Sequence, residues 1–179
     1  MLNIFMYTET IKEITLENQD LIIKELDYIC DQTLLDFKNN NMAYVGTNGM
    51  LDGKLIYRSY SYKPGYNLNL YQLLKNQNIR PTNYLCSLLN GTDGNYKPHS
   101  DKNRHISIMY LKTDELSTTN FYKSKIGNKK GFYEFDEVEL IDQKIIEKGK
   151  LYLFNHQTVH SVTNINNLRC NISINLSNL

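Results

Sequence analysis

The sequence lacks the features that would assign it to a membrane, secreted or strongly charged class of protein. No apolar run approaches the 18 or more residues of a membrane span, and the N-terminal stretch MLNIFMYTETIKEITLEN has neither the basic region nor the apolar stretch of a signal peptide. The formal net charge is only +1, which gives no global attraction to nucleic acid or to an anionic membrane. We therefore expect a cytoplasmic protein that has neither a membrane nor nucleic acid as its partner.

Cysteine is scarce as well, because Cys30, Cys86 and Cys170 are the only three in the chain. An odd number at wide spacing excludes a disulfide framework, and there is no C-x-x-C pair to suggest a zinc knuckle. We expect three partly buried free thiols, as is typical of a reducing compartment.

The chain does have the length and apolar content for one core. Its 179 residues, 41% of them apolar, fit a single domain, and no Pro/Gly/Ser-rich linker or internal repeat divides them. Residues 19–38 predict a helix, because apolar residues recur near a period of 3.6 and Asn18 is a plausible N-cap. Residues 66–78 predict a second, weaker helix, and residues 1–7 could form a short strand.

From residue 82 onward the pattern changes to short apolar runs separated by the turn signals NGTDGN, IGNKKG and NINN. The runs are TNYLCSLL, RHISIMYL, GFYEF, KLYLFN and CNISINL. Helices followed by many short strands indicate an α+β fold in which the strands form a sandwich or a barrel.

The segment YKPHSDKNRHISIMYL, residues 96–111, contains the first chemical signal, which is His99 followed two residues later by Asp101, at the start of a predicted strand. On a strand both side chains would project from one face, about 6.5–7 Å apart along the chain. Two histidines and one carboxylate form the facial triad of non-haem Fe(II) oxygenases. The second histidine would have to be His105, His156 or His160.

His160 is the best placed of the three candidates, because Arg169 follows it by nine residues and opens the strand RCNISINL. In that strand the apolar residues alternate with Arg169, Asn171 and Ser173. If the apolar face packs on helices, the arginine faces a polar pocket, where a buried guanidinium needs an anion and matches a carboxylate bidentately. His105 could share a metal only if the chain turned back at KNR, and we expect surface or hydrogen-bonding roles for it and for His156.

Between residues 84 and 176 the sequence resembles the Fe(II)/2-oxoglutarate-dependent dioxygenases, and among them the prolyl-hydroxylase-like branch. The stretches that carry the resemblance are YLCSLLNGTDGNYKPHSD, ISIMYL and GKLYLFNHQTVHSVTNINNLR. The resemblance implies a double-stranded β-helix, or jelly roll, with N-terminal helices packed on the major sheet. The single domain 1–179 would then comprise a helical support region, 1–80, and a jelly-roll core, 82–177.

Carried over by position, the resemblance implies that His99, Asp101 and His160 are the catalytic iron ligands. Arg169 and Tyr110 would bind the distal carboxylate of 2-oxoglutarate. Such an enzyme converts 2-oxoglutarate and O2 to succinate and CO2 while it hydroxylates a substrate, and it can use ascorbate as an accessory reductant.

The substrate stays open at this point. A prolyl or other protein side chain is the first hypothesis, and a free amino acid or a nucleobase is the alternative. Asn175 stands where many prolyl hydroxylases carry Trp and where alkylation-repair relatives carry a second Arg. The lysine-rich segment 121–131 could be a solvated loop or a substrate lid, and the tyrosine-rich segment 57–66 could line a substrate groove or simply pack.

Two rival interpretations come from other classes of protein. The first is a non-catalytic jelly-roll module that binds a metal or a ligand. The second is a zinc hydrolase that uses the same three ligands, but it would leave Arg169 unexplained and has no acidic residue placed near the ligands as a general base.

Overall fold

The structure is a computed structural model. The residues that it describes are 10–51, 54–89, 94–101, 104–113, 117–129, 131–165 and 167–176. The strand predicted at residues 1–7 lies outside them.

The chain contains two α-helices and eleven strands in the described ranges. The helices are α1 (Gln19–Lys38) and α2 (Leu68–Lys75), the second preceded by a short 3-10 helix at Pro64–Tyr66. The strands are β1 (Ile11–Ile14), β2 (Val45–Leu51), β3 (Lys54–Tyr62), β4 (Pro81–Leu89), β5 (Gly94–His99), β6 (Ile106–Leu111), β7 (Thr118–Ser124), β8 (Val138–Ile145), β9 (Leu151–Asn155), β10 (Val159–Ile165) and β11 (Arg169–Leu176). Among these residues, no helix combines the length and the apolar character needed to cross a membrane.

The strands form two antiparallel sheets that face each other. The major sheet has seven strands in the order β1-β9-β6-β11-β4-β3-β2, and the minor sheet has four in the order β5-β10-β7-β8. Met109 and Phe154 of the major sheet pack with Phe121 of the minor sheet in an apolar cluster between them. The predicted α+β fold is therefore confirmed.

Helix α1 covers the other face of the major sheet, and its bounds are those that the sequence predicted. Its buried stripe includes Ile22, Leu26 and Ile29, which share the main core cluster with residues of the major sheet. Asn18 precedes the helix but does not cap it through its side chain. Its backbone is left-handed, with φ 55°, and its carbonyl accepts the N–H groups of residues 21 and 22 instead.

Strict alternation along the central strands separates the two faces of the major sheet. On β11, Cys170, Ile172 and Ile174 belong to the core that α1 shares, whereas Arg169 and Asn171 line a cavity on the opposite side. The prediction that the arginine face of this strand points into a pocket is thus confirmed.

Three sequence-based expectations about the elements were wrong. Residues 1–80 are not only helical, because β1, β2 and β3 belong to the major sheet. The run GFYEF is not a strand, since a 3-10 helix occupies Phe135–Glu137 and the strand β8 follows it. His99 ends a strand rather than opening one, and Asp101 lies beyond that strand.

Candidate metal and cofactor site

His99 and His160 meet because β5 and β10 are neighbours in the minor sheet. The two strands run antiparallel, and their register places His160 directly opposite His99. The ring centroids lie 4.5 Å apart. Both rings line a cavity of about 500 Å³ between the two sheets.

Asp101 joins the two histidines from the loop that follows β5. Its backbone N–H donates to the carbonyl of His156 at 3.0 Å, which holds the loop against the end of β9. Its Oδ2 lies 3.7 Å from Nε2 of His160. The ligand atoms of His99, Asp101 and His160 all lie within 4.8 Å of one another, so the structure brings the predicted triad together.

The two histidines hydrogen-bond to a backbone carbonyl through the same nitrogen, Nδ1. Nδ1 of His99 is 3.0 Å from the carbonyl of Lys97, and Nδ1 of His160 is 2.8 Å from the carbonyl of Thr158. A carbonyl only accepts, so each Nδ1 carries the proton and each neutral ring has its lone pair on Nε2. This arrangement orients a metal-binding histidine and fixes its tautomer.

His156 has a different role, because both of its nitrogens are already occupied. Its Nδ1 donates to Oδ2 of Asp101 at 2.7 Å, and the hydroxyl of Ser107 lies 2.7 Å from its Nε2. The lone pair of Nε2 therefore accepts from Ser107, and the ring orients the Asp101 carboxylate. Arg104 adds an ion pair to the same carboxylate oxygen at 2.6 Å.

The electrostatics of the site favour the protonation states that bind metal. Burial lowers the pKa of His99 and lowers that of His160 well below its usual range, so both rings are neutral at physiological pH. Burial opposes ionisation of Asp101, but the hydrogen bond from His156 and the charge of Arg104 outweigh it and lower the pKa of Asp101 well below its usual range. Neutral imidazole and ionised carboxylate are the forms that bind a divalent ion.

Arg169 supplies a buried positive charge in the same cavity. Its side chain is almost fully buried, at 2% exposure. Nε donates to the hydroxyl of Ser117 at 2.7 Å and Nη1 donates to Oδ1 of Asn171 at 2.7 Å. No carboxylate of the described residues pairs with it. Burial lowers the pKa of the guanidinium to about 10, so it stays charged at neutral pH.

Thr119 is a polar residue of this cavity that the sequence did not reveal. It lies on β7 two residues after Ser117, and it lines the cavity together with Arg169. Its hydroxyl is buried and has no hydrogen-bond partner among the described residues. A buried hydroxyl without a partner is costly, so the group fits a site that an external acceptor completes.

The structure does not bring Tyr110 into the site, and the prediction that it binds the cofactor has to be corrected. Its hydroxyl donates to Asp27 of α1 at 2.7 Å, and its ring belongs to the core beneath that helix. The reason is the alternation of β6, where Ile108 and Tyr110 share the helix face and Met109 faces the cavity.

Two lysines of the lysine-rich segment 121–131 have oxygen partners within the fold. Nζ of Lys129 pairs with Glu137 at 2.6 Å, and Nζ of Lys125 donates to the carbonyl of Asp136 at 3.1 Å. Lys130 lies outside the described residues. The chain just beyond the segment lies beside the triad, because Phe132 is bridged to His99 and their rings are 5.5 Å apart. A role as a lid stays a prediction.

The tyrosine-rich segment 57–66 divides between the two faces of β3. Tyr57 lines the cavity, whereas Tyr60 and Tyr62 are buried in the core that the helices cover. Of these three, only Tyr57 could contact a ligand in the cavity, and the other two pack in the core.

Comparisons by sequence and by structure gave different results. No family model and no curated protein matches the sequence. Solved structures, in contrast, do match the fold. AviO1 from Streptomyces viridochromogenes Tue57 has a TM-score of 0.56 and 12% identity, and the match covers 93% of this chain and 87% of that chain.

A second match is a prolyl hydroxylase from Trichoplax adhaerens, solved in complex with a hypoxia inducible factor oxygen degradation domain peptide fragment. It has a TM-score of 0.53 and 15% identity, and the match covers 94% of this chain and 84% of that chain. The epimerase SnoN, in complex with Fe3+, alpha ketoglutarate and nogalamycin RO, has a TM-score of 0.55 and 9% identity over 85% of this chain and 72% of that chain. The likeness confirms the predicted double-stranded β-helix with helices on its major sheet.

Proposed function

We propose that this chain is an Fe(II)- and 2-oxoglutarate-dependent oxygenase that hydroxylates its substrate. His99, Asp101 and His160 would hold the iron, and Arg169 would bind the distal carboxylate of 2-oxoglutarate. The observation that carries the proposal is the buried guanidinium without a carboxylate partner among the described residues, in the same cavity as the triad. A buried unpaired charge costs several kcal/mol, so the fold retains it for an anion that comes from outside.

The residues present fit both groups. The triad offers two neutral imidazole nitrogens and one carboxylate, which suit a non-haem Fe(II) site with open positions. Arg169 presents a planar fork that matches a carboxylate, and the Thr119 hydroxyl can donate to the same anion. When bound, iron and 2-oxoglutarate supply the oxidising chemistry, in which 2-oxoglutarate and O2 become succinate and CO2.

The protein's own part is to hold charges and exclude water. His156 and Arg104 keep the Asp101 carboxylate ionised and oriented. Leu89, Met109 and Val162 are buried apolar side chains of the cavity wall, so they would keep water from that side of a bound cofactor. The presence of a carboxylate ligand favours hydroxylation, because halogenating enzymes of this kind leave that position for chloride.

We propose a protein or peptide side chain, prolyl residues included, as the substrate. Phe132 is half exposed and its ring contacts His99, so the substrate passes an aromatic surface beside the triad. Phe135 is also exposed at 48% and packs edge-on to Tyr122 of the same region. Exposed aromatic groups next to an active site are typical of surfaces that bind peptides.

The test is a panel of substrates with succinate as the common readout. Prolyl peptides, free amino acids and nucleosides are incubated with Fe(II), 2-oxoglutarate, ascorbate and O2. We expect a peptide to increase succinate formation and to gain one oxygen atom by mass spectrometry, and we expect His160→Ala and Arg169→Ala to abolish both. His105→Ala is the control, because His105 is exposed and should retain full activity.

The panel also separates the rival functions. If no member changes succinate formation and 2-oxoglutarate does not bind, a non-catalytic module or a hydrolase takes precedence. If a free amino acid or a nucleoside is hydroxylated and no peptide is, the oxygenase proposal stands and the peptide proposal fails.

A further inference from the structure

The three cysteines of the chain meet at one point in the core, although they are far apart in sequence. Cys30 comes from α1, Cys86 from β4 and Cys170 from β11. Sγ of Cys86 lies 3.7 Å from Sγ of Cys170 and 3.9 Å from Sγ of Cys30, and all three sulfurs lie within 4.8 Å of one another. Each residue is fully buried. The cluster lies on the helix face of the major sheet. The triad lies beyond the other face of that sheet, on β5, β10 and the loop that follows β5.

The strand register does not suit a disulfide between Cys86 and Cys170. Cys86 is opposite Ile172, and Cys170 is opposite Leu88, so the two cysteines are diagonal neighbours. Diagonal neighbours are roughly 7–8 Å apart on a sheet, with Cβ atoms somewhat closer. A disulfide needs Cβ atoms about 3.5–4.5 Å apart, so closing one would require the backbone to move.

The same spacing suits an ion between the sulfurs. An ion about 2.3 Å from each sulfur would see Cys86 and Cys170, 3.7 Å apart, at an angle of roughly 107°. It would see Cys86 and Cys30, 3.9 Å apart, at roughly 116°. The first angle is close to the tetrahedral value, and the second lies between the tetrahedral and trigonal values.

We propose that Cys30, Cys86 and Cys170 form a binding site for one Cu(I) ion. Thiolate sulfur selects soft ions such as Cu(I) and Zn(II). A structural Zn(II) site takes four ligands, and among the described residues only these three Cys, His, Asp or Glu side chains converge here. Burial excludes water as a fourth ligand, so a site of three sulfurs selects Cu(I) over Zn(II).

The surroundings of Cys86 favour its thiolate form, so it is the first of the three thiols to lose its proton. Burial opposes its ionisation, but the neighbouring side chains of Cys170, Cys30 and Thr33 outweigh it and lower its pKa. The pKa of Cys170 is raised well above its usual range, because the effects of Cys86 and of burial outweigh those of Cys30 and Arg169, so this thiol would lose its proton only on binding the ion. Because α1 covers the cluster, the ion would bind as the helix docks, and folding and binding would be linked.

The competing explanation is that the thiols simply pack. Cysteine behaves as a small apolar residue in many cores, and 3.7–3.9 Å is also an ordinary contact between sulfurs. The two explanations differ in whether Cu(I) binds to the folded protein.

The test is an anaerobic titration of the reduced protein with Cu(I) against a chromogenic chelator. It uses the His160→Ala background, so that the histidine–carboxylate site does not contribute. We expect one equivalent of Cu(I), with a near-ultraviolet sulfur-to-copper band, and the same stoichiometry by native mass spectrometry. Cys86→Ser and Cys170→Ser should each weaken binding at least 100-fold. Ile29→Val, a conservative change beside Cys30 in the same core, should leave it unchanged.

A second measurement does not depend on the variants being folded. Cu(I) should raise the melting temperature of the parent protein and should slow alkylation of its thiols in moderate urea. All thiol signals come from this cluster, because the chain has three cysteines in total. If the folded parent binds no Cu(I), shows no increase in melting temperature, or prefers Zn(II), the proposal fails and packing accounts for the cluster. This test does not involve 2-oxoglutarate, so its outcome is independent of the oxygenase proposal.

Discussion

Two histidines four residues apart on the chain have opposite roles at the site, and their hydrogen bonds distinguish them. His160 donates from Nδ1 to a backbone carbonyl and keeps the lone pair of Nε2 for an ion. His156 uses both nitrogens, one toward Asp101 and one toward Ser107. The first should bind the metal, and the second should only orient a ligand.

We therefore expect His160→Ala to abolish Fe(II) binding, while His156→Ala weakens it by about 10–100-fold, the usual effect of losing a group that orients a ligand. Isothermal titration with Mn(II) in place of Fe(II) would measure both. His105→Ala should bind like the parent. A His160→Ala protein that keeps the parent's affinity would show that the triad is assigned wrongly.

Thr119 and Tyr110 each carry one hydroxyl, but only Thr119 lines the cavity, so removing each hydroxyl in turn tests the proposed cofactor site. Thr119→Val should raise the dissociation constant of 2-oxoglutarate about 5–30-fold, because it removes one hydrogen bond to a charged group, worth about 1–2 kcal/mol. Tyr110→Phe should leave 2-oxoglutarate binding unchanged. It should instead lower the free energy of unfolding by about 1–2 kcal/mol, since Asp27 loses one of its two donors.

Binding of 2-oxoglutarate and urea unfolding, each measured on both variants, test this pair. The reverse pattern, with Tyr110→Phe impaired in binding and Thr119→Val normal, would restore the role that the sequence resemblance gave to Tyr110.

The sequence predicted the residues that carry charge better than those that complete the pocket. The structure places His99, Asp101, His160 and Arg169 in one cavity, and the sequence could group them because their residue types and spacing are characteristic. Tyr110 was assigned to the wrong face of β6, although the sequence places it two residues after the apolar Ile108 and therefore on the same face. Thr119 gave no signal, because threonine is common in strands for packing reasons alone.

At the scale of elements, α1 supports the major sheet and does not take part in the site. Leu26→Ala should lower the free energy of unfolding by about 2–5 kcal/mol, because the side chain is fully buried at 0% exposure. Leu21→Ala is the matched control, as the same substitution on the same helix removes a side chain that is 52% exposed. Its effect should stay within about 0.5 kcal/mol.

Urea unfolding of both variants checks this prediction, and Mn(II) affinity of the folded proteins should be unchanged in each. Equal stability of the two variants would contradict the burial of the α1 stripe.

Two of the elements that the sequence missed, β5 and β8, lack a periodic apolar pattern. Strand β5, GNYKPH, contains one proline and little that is apolar, so only its pairing with β10 reveals it. Strand β8 is exposed along almost its whole length at the edge of the minor sheet, and no alternation marks it. Helix α1 was predictable because one face of it is buried on a continuous sheet.

At the scale of the whole molecule, the buried histidines make the metal-free protein sensitive to acid. The pKa of His156 is lowered by burial from 6.5 to about 4 in the folded state. The unfolded chain therefore binds more protons between those pH values, so stability is full above about pH 6.5 and falls as the pH decreases toward 4. His99 and His160 act in the same direction.

For His156 alone the loss should be about 3 kcal/mol over this window. Urea unfolding of the metal-free protein at several pH values between 7.5 and 4.5 would measure this loss. The stability of His156→Gln should depend less on pH than that of the parent. The stability of His105→Ala should depend on pH as the parent's does. A stability that does not change between pH 7 and 5 would contradict the assignment of a buried neutral ring.

The central claim is that one cavity binds both Fe(II) and 2-oxoglutarate, with Arg169 as the anion site. The most direct test is an anaerobic titration of 2-oxoglutarate into the Fe(II) protein, followed by the charge-transfer band of the complex. The parent should give a saturable band. Arg169→Ala should raise the dissociation constant about 30-fold to several thousand-fold, as loss of one partner of a buried charge pair costs roughly 2–5 kcal/mol. Arg169→Lys should recover only part of it, and Fe(II) affinity should be unaffected in both. If no band forms in the parent, or if Arg169→Ala binds 2-oxoglutarate as the parent does, the cavity is not a 2-oxoglutarate site and the proposed function is wrong.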